Sequence, residues 1–163
     1  MKFEVRHAFD APAETLWKML FDPEYERAMA ERTQMPRETV TDELRESGRY
    51  RVLRVVSQRE LPGLAARAVG STRLSYDMEE TFDEASRRVH WRVHPSVVPD
   101  KVTAIGSYEV VSTDEGCERL VKGEISVEIP LVGGRIARAI ADELTTSYDR
   151  NVDFVREWLG RFG

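Results

Sequence analysis

The chain of 163 residues reads as an α+β fold, a seven-stranded antiparallel sheet curled around a long C-terminal helix, with two short helices after the first strand. Three observations predict it. Residues 2–10 alternate, with Phe3, Val5, His7 and Phe9 on one face and Lys2, Glu4, Arg6 and Asp10 among those on the other, the period of a half-buried strand. Six more segments of strand character fill residues 38–129 with short polar turns between several of them. Beyond Pro130-Leu131-Val132-Gly133-Gly134 the apolar period changes to that of a helix for about 25 residues, roughly 38 Å at 1.5 Å per residue.

The length is that of one domain, against a usual size of about 100 to 200 residues. Apolar residues make up 41% and charged residues 33%, and 24 basic against 29 acidic side chains leave a net charge of −5, spread along the chain. A nucleic-acid surface would be basic, so that class is not expected, even though basic residues between Arg45 and Arg59 interleave with Tyr50, Val52 and Val55. The longest stretches without a charge, 93–99 and 102–108, are seven residues each, where a membrane span needs about 20. The opening residues carry charges where a signal peptide is apolar, and Cys117 is the single cysteine, so a cytoplasmic protein without an internal disulfide is expected. Arginine outnumbers lysine 20 to 4, a compositional association with GC-rich bacterial genomes.

Taken in order, strand one is followed by Ala11-Pro12-Ala13-Glu14, which opens a helix with Asp10 as the candidate N-cap and Leu16, Trp17, Leu20 and Phe21 at helical spacing. Asp22-Pro23 interrupts it, and a second helix follows over 24–31 with Tyr25, Ala28 and Met29 on its buried side. Strands are predicted over 38–45, 50–58, 72–82, 88–94, 101–111 and 119–129, pairing as a meander through the turns at 46–48, 83–86 and 113–116. The interruption at 61–70 is apolar but bounded by Pro and Gly, as a lid or an amphipathic turn would be. On the last helix Ile136, Ile140, Leu144, Tyr148, Val152, Val155 and Leu159 form one stripe, which needs an apolar surface as long as itself.

The segment Phe9-Asp10-Ala11-Pro12-Ala13-Glu14-Thr15-Leu16-Trp17, followed by Leu20-Phe21-Asp22-Pro23-Glu24-Tyr25, resembles the opening of bacterial START-like proteins, where a strand ends in Ala-Pro and a helix in Asp-Pro. With the order of elements, the chain resembles the helix-grip START-like superfamily over nearly its whole length. That superfamily includes steroidogenic lipid-transfer domains, the birch pollen allergen type and polyketide cyclase-like proteins, and the nearest group is a bacterial family of uncharacterised function. The resemblance implies a space between sheet and helix for a lipid, fatty acid, sterol-like or polyketide-like ligand. Fold alone carries no reaction.

Alternation turns Leu74, Tyr76, Met78, Glu80 and Phe82 inward, then Val89, Trp91 and Val93, then Val102, Ala104, Gly106, Tyr108 and Val110. Ala104, Gly106 and Gly123 facing Ala137 and Ala141 leave room for a ligand or let helix and sheet approach closely. Arg54 shares a face with Tyr50, Val52 and Val56; it enters the interior if that face is the inner one, there to hold a polar ligand head or pair with Glu80, and is a surface charge otherwise. The candidate ligand-binding residues are therefore His7, Tyr50, Arg54, Tyr76, Met78, Glu80, Trp91, Tyr108, Leu144 and Tyr148. A cyclase-like enzyme using His7, Glu80 or Arg54 is the alternative, and a partner-binding module presenting Leu61, Leu64 and Val69 is a further one. His90 and His94 on one strand stand about 13 Å apart, too far to share an ion. Cys117 is expected in a polar turn beside acids, which disfavours a thiolate. Nothing in the sequence calls for a metal or other cofactor.

Overall fold

The computed structural model describes residues 1–161 apart from 61, 62, 64, 65, 68, 69, 71 and 72. Its elements are β1 (Lys2–Phe9), α1 (Ala13–Met19), α2 (Pro23–Thr33), β2 (Arg37–Arg45), β3 (Gly48–Glu60), β4 (Arg73–Asp83), β5 (Arg88–Pro95), a 3-10 turn (Pro99–Lys101), β6 (Val102–Thr113), β7 (Gly116–Val127) and a long helix, α3 (Gly133–Gly160). The sheet order is β1-β7-β6-β5-β4-β3-β2, with every neighbouring pair antiparallel. The seven strands and three predicted helices are all present. The loop residues Leu61, Leu64 and Val69, on which the partner-binding alternative rests, lie outside the described residues.

Local chemistry sets several boundaries differently from the sequence reading. Pro12, not Asp10, is the N-cap of α1, with φ −60° and ψ 146° and no side-chain cap. Asp22 caps α2 by accepting from the Glu24 backbone N–H at 2.9 Å, and Pro23 follows in the first turn, where its missing N–H costs nothing. The β2–β3 turn needs Gly48, because its φ is +119° and a Cβ there would lie 2.3 Å from the Phe82 carbonyl oxygen. β7 begins at Gly116 rather than at 119, which moves Cys117 out of the expected turn and into the core, with its thiol raised by burial.

Cross-strand register lays the inward side chains in rows. One row runs Phe3, Gly123, Gly106, Trp91, Glu80, Arg51 from β1 to β3. The next on one side is Val5, Val121, Tyr108, Val89, Phe82, Arg49, and on the other Ile125, Ala104, Val93, Met78, Leu53. The glycine pair settles the close-packing question at this point. A Cβ on Gly106 would lie 2.2 Å from the Trp91 ring, and one on Gly123 would lie 2.3 Å from the Phe3 ring. The two rings stack with centroids 6.4 Å apart and fill the space the glycines leave.

Two apolar clusters hold the layers together. In the larger, Leu16, Trp17 and Met19 of α1 and Val155, Trp158 and Leu159 of α3 meet Val5, Phe9, Phe82 and Val121, with Tyr25 and Met29 of α2 packed alongside. In the smaller, Ile136, Ala137 and Ala141 lie on Ala104, Ile125 and Val127, the small helix residues permitting close approach. Leu16 and Val155 are fully buried, each worth about 1.5–3 kcal/mol relative to exposure. These contacts draw α3 toward β7 and β1. Leu53 and Val55 of β3 are as deeply buried but belong to neither cluster.

Candidate functional site

β3 is the strand whose phase departs from expectation. Arg51, Leu53, Val55 and Ser57 are buried, whereas Arg54 and Val56 are exposed and Tyr50 and Val52 lie on that outer side with them. Arg54 forms a two-bond pair with Asp77, at 2.9 and 3.1 Å. Tyr50 donates its hydroxyl to Glu79 at 2.6 Å and carries the Arg45 guanidinium over its ring. Neither faces the interior. The arginine opposite Glu80 is Arg51, whose Nε donates to Glu80 Oε2 at 2.8 Å. Glu26 of α2 stands 3.9 Å from Arg51 Nη1, so this inward cation is matched by two carboxylates. His90 and His94 point outward, and among the described residues no group of acids, histidines or cysteines is arranged to hold a metal.

The other sequence-derived residues do turn inward, and a further one joins them. His7, Tyr76, Met78, Glu80, Trp91 and Tyr108 lie on the inner face, and Leu144 and Tyr148 face the sheet from α3. Tyr25 of α2 completes a set of four phenols with Tyr76, Tyr108 and Tyr148. Burial raises all four above the ordinary tyrosine value, Tyr25 to about 12, and their charges are near enough to influence one another. Tyr25, Tyr76 and Tyr148 nevertheless remain only half-buried by surface accessibility.

Arg119 is the residue the sequence reading passed over. The phase of Val121, Gly123, Ile125 and Val127 carries it inward, and only 3% of it is exposed. Its Nη2 lies 2.8 Å from His7 Nδ1, and its guanidinium lies 5.2 Å from the Phe9 ring centroid and 5.0 Å from that of Tyr148. Guanidinium groups only donate, so His7 Nδ1 must accept, and the proton of the neutral imidazole sits on Nε2, which meets Asp149 Oδ1 at 2.8 Å. Burial lowers the His7 pKa and the Arg119 charge adds to that, against an upward pull from Asp149. Among the described residues no carboxylate lies within ion-pair distance of Arg119, and its buried Nε has no hydrogen-bond partner.

A sheet of this order folded about one long helix, with an interior lined by phenols and an inward arginine, defines an α+β protein of the helix-grip class. The chain matches, over residues 4–159, the family described as "Protein of unknown function (DUF2505)", and it belongs to that family. No curated protein matches it. Among solved structures it is similar to a protein from Thermus thermophilus, TTHA0849, at 16% identity and TM-score 0.70, covering 100% of this chain and 99% of that one. It is also similar to Zhui aromatase/cyclase from Streptomyces sp. R1128, at 19% identity and TM-score 0.58, covering 99% and 94%. Protein Ms6760 from Mycobacterium smegmatis matches at 13% identity and TM-score 0.64, covering 99% and 92%. At these identities the likeness is one of fold.

Proposed function

We propose that the protein is a START-like small-molecule carrier that holds a largely apolar ligand between β3–β4 and α3. The observation that carries this reading is that Tyr76 of β4 and Tyr148 of α3, on facing layers, both keep part of their surface while burial raises their phenols. Pockets that bind small molecules combine apolar walls with a few polar groups that fix orientation. Here Leu53, Val55 and Met78 provide wall, and the phenols provide hydroxyls on rings that are otherwise apolar. A lipid, fatty acid, sterol-like or polyketide-like compound has that character.

The cyclase-type alternative, which the name of the Streptomyces neighbour brings to mind, has less support. A general base needs a free lone pair within reach of the proton it removes. Both ring nitrogens of His7 are engaged, and Glu80 is committed to Arg51. Native mass spectrometry of the freshly purified protein, compared with its denatured mass, tests the carrier reading. The expected result is a discrete mass excess that disappears on denaturation. A clean apo spectrum, together with no rise in melting temperature across lipids and aromatic polyketides, would overturn it.

A further inference from the structure

Buried ionised groups are ordinarily paired, because removing a charge from water without compensation is expensive. Arg51 obeys this rule through Glu80 and Glu26. Arg119 is the more buried of the two and has a neutral imidazole, the Tyr108 hydroxyl, two ring faces and no carboxylate within ion-pair distance among the described residues. Asp149 is the acid nearest to it in the hydrogen-bond chain, but its oxygen is directed to His7, and its side chain is 62% exposed. The Arg119 Nε–H is left pointing at no acceptor.

The surroundings of Arg119 are those of the proposed ligand space. Its guanidinium lies 5.0 Å from the Tyr148 ring centroid and hydrogen-bonds the Tyr108 hydroxyl, and its charge draws the Tyr25, Tyr108 and Tyr148 phenols downward against the larger upward effect of burial. Tyr148 also senses Glu80, which stands beside Met78 on the β4 wall. One end of the space is therefore cationic at the buried Arg119, with hydroxyls around it, and the other end holds the Arg51–Glu80 pair and feels the exposed Arg37 of β2, whose charge acts on Tyr25, Tyr76 and Tyr148.

Resting on the carrier reading, we infer that the ligand is an apolar carboxylic acid whose carboxylate is anchored by Arg119, with His7 holding the guanidinium in place from behind. The acid supplies the missing countercharge at the terminal nitrogens of the guanidinium, Nε itself being sealed from contact, while neighbouring phenols donate to its remaining lone pairs. The apolar body extends toward Tyr76 and Met78. A neutral alcohol or ester of the same length fills the same apolar volume but leaves Arg119 uncompensated, so it binds more weakly.

The experiment compares two matched sets by isothermal titration at pH 8: saturated acids of eight to sixteen carbons with 2-naphthoic acid, and the corresponding alcohols. Both sets are titrated into delipidated wild-type protein and its Arg119→Met and Arg119→Lys variants. Wild type is expected to bind its best acid at least about tenfold more tightly than the matching alcohol. Arg119→Met should abolish that preference, bringing acid and alcohol affinities within about twofold of each other, and Arg119→Lys should keep part of it. If alcohols bind and acids gain nothing, the anchor is wrong and the carrier reading stands. If no member of either set binds, the acid anchor falls, and the native mass spectrum decides the carrier reading separately. The wild-type comparison decides the question even where a variant does not fold.

Discussion

Arg51 and Arg119 are the buried arginines among the described residues, lying on opposite sides of the same interior, and they are accommodated differently. Arg51, on β3, donates to Glu80 at 2.8 Å, has Glu26 at 3.9 Å and covers the Phe82 ring. Arg119, on β7, covers the Phe9 and Tyr148 rings in much the same way, yet its polar partners are the uncharged His7 and Tyr108. The aromatic contacts are comparable, so countercharge is the difference. At the β3 end the buried cation is electrostatically complete on its own. The β7 end is complete only when something negative joins it, and this is why the anchor is assigned to Arg119 and not to the better-bonded Arg51.

The largest effect should come from breaking the complete end. Glu80→Ala strands Arg51 with only the more distant Glu26, and a loss of about 3 kcal/mol is expected in urea denaturation, as for a buried pair deprived of one partner. Arg119→Met, measured on ligand-free protein, should alter stability by no more than about 1 kcal/mol, because it removes an uncompensated buried charge along with its hydrogen bonds to His7 and Tyr108. Equal losses in the two variants would erase the distinction between the ends.

Acid sharpens the contrast further. The His7 pKa is lowered in the fold, so the unfolded chain takes up the proton first as pH falls below about 6.5. The stabilisation from neutral His7 is therefore present above that pH and is lost as pH falls through the folded pKa. Protonation also places an N–H against the Arg119 guanidinium. Denaturation midpoints between pH 8 and pH 5 should fall more steeply in wild type than in His7→Gln. Asp149→Asn removes the upward pull and should lower the His7 pKa further, as read by proton NMR titration. The smallest effect belongs to Arg54→Ala, whose pair with Asp77 is on the outer face and half exposed; no measurable shift in the urea midpoint is expected.

The contrast between Arg51, Arg54 and Arg119 also marks how far sequence patterning reaches. β1, β4, β5 and β6 each carry polar residues on one face and mainly apolar ones on the other, so their inward sets, including Tyr76, Met78, Trp91 and Tyr108, were legible. In β3 the run Tyr50-Arg51-Val52-Leu53-Arg54-Val55-Val56 has apolar residues and one arginine in either phase, and periodicity cannot choose between them. Tertiary pairing chooses: Arg51 falls opposite Glu80 and Arg54 opposite Asp77. Arg119 was legible in principle from Val121, Gly123 and Ile125, but an arginine continuing an apolar phase is easily assigned to the strand's solvent end. The packing of Gly106 and Gly123 under Trp91 and Phe3 required the third dimension, since small residues equally suit an open space.

The pairing of β1 with β7 bears on how the chain reaches this structure. Phe9 lies opposite Cys117 and Lys2 opposite Glu124, so the first strand pairs only with chain 108 to 122 positions further on. A meander of β2 to β7 can zip up through successive hairpins, but the edge formed by β1 closes a loop spanning most of the polypeptide, the class of contact that slows folding. During synthesis the strand carrying His7 must wait while the rest of the sheet is made, and α3, which packs on β1 and β7, comes later still. The charged site is thus among the last parts to assemble: His7 meets Arg119 only as that loop closes, and Asp149 reaches His7 only when the last helix docks.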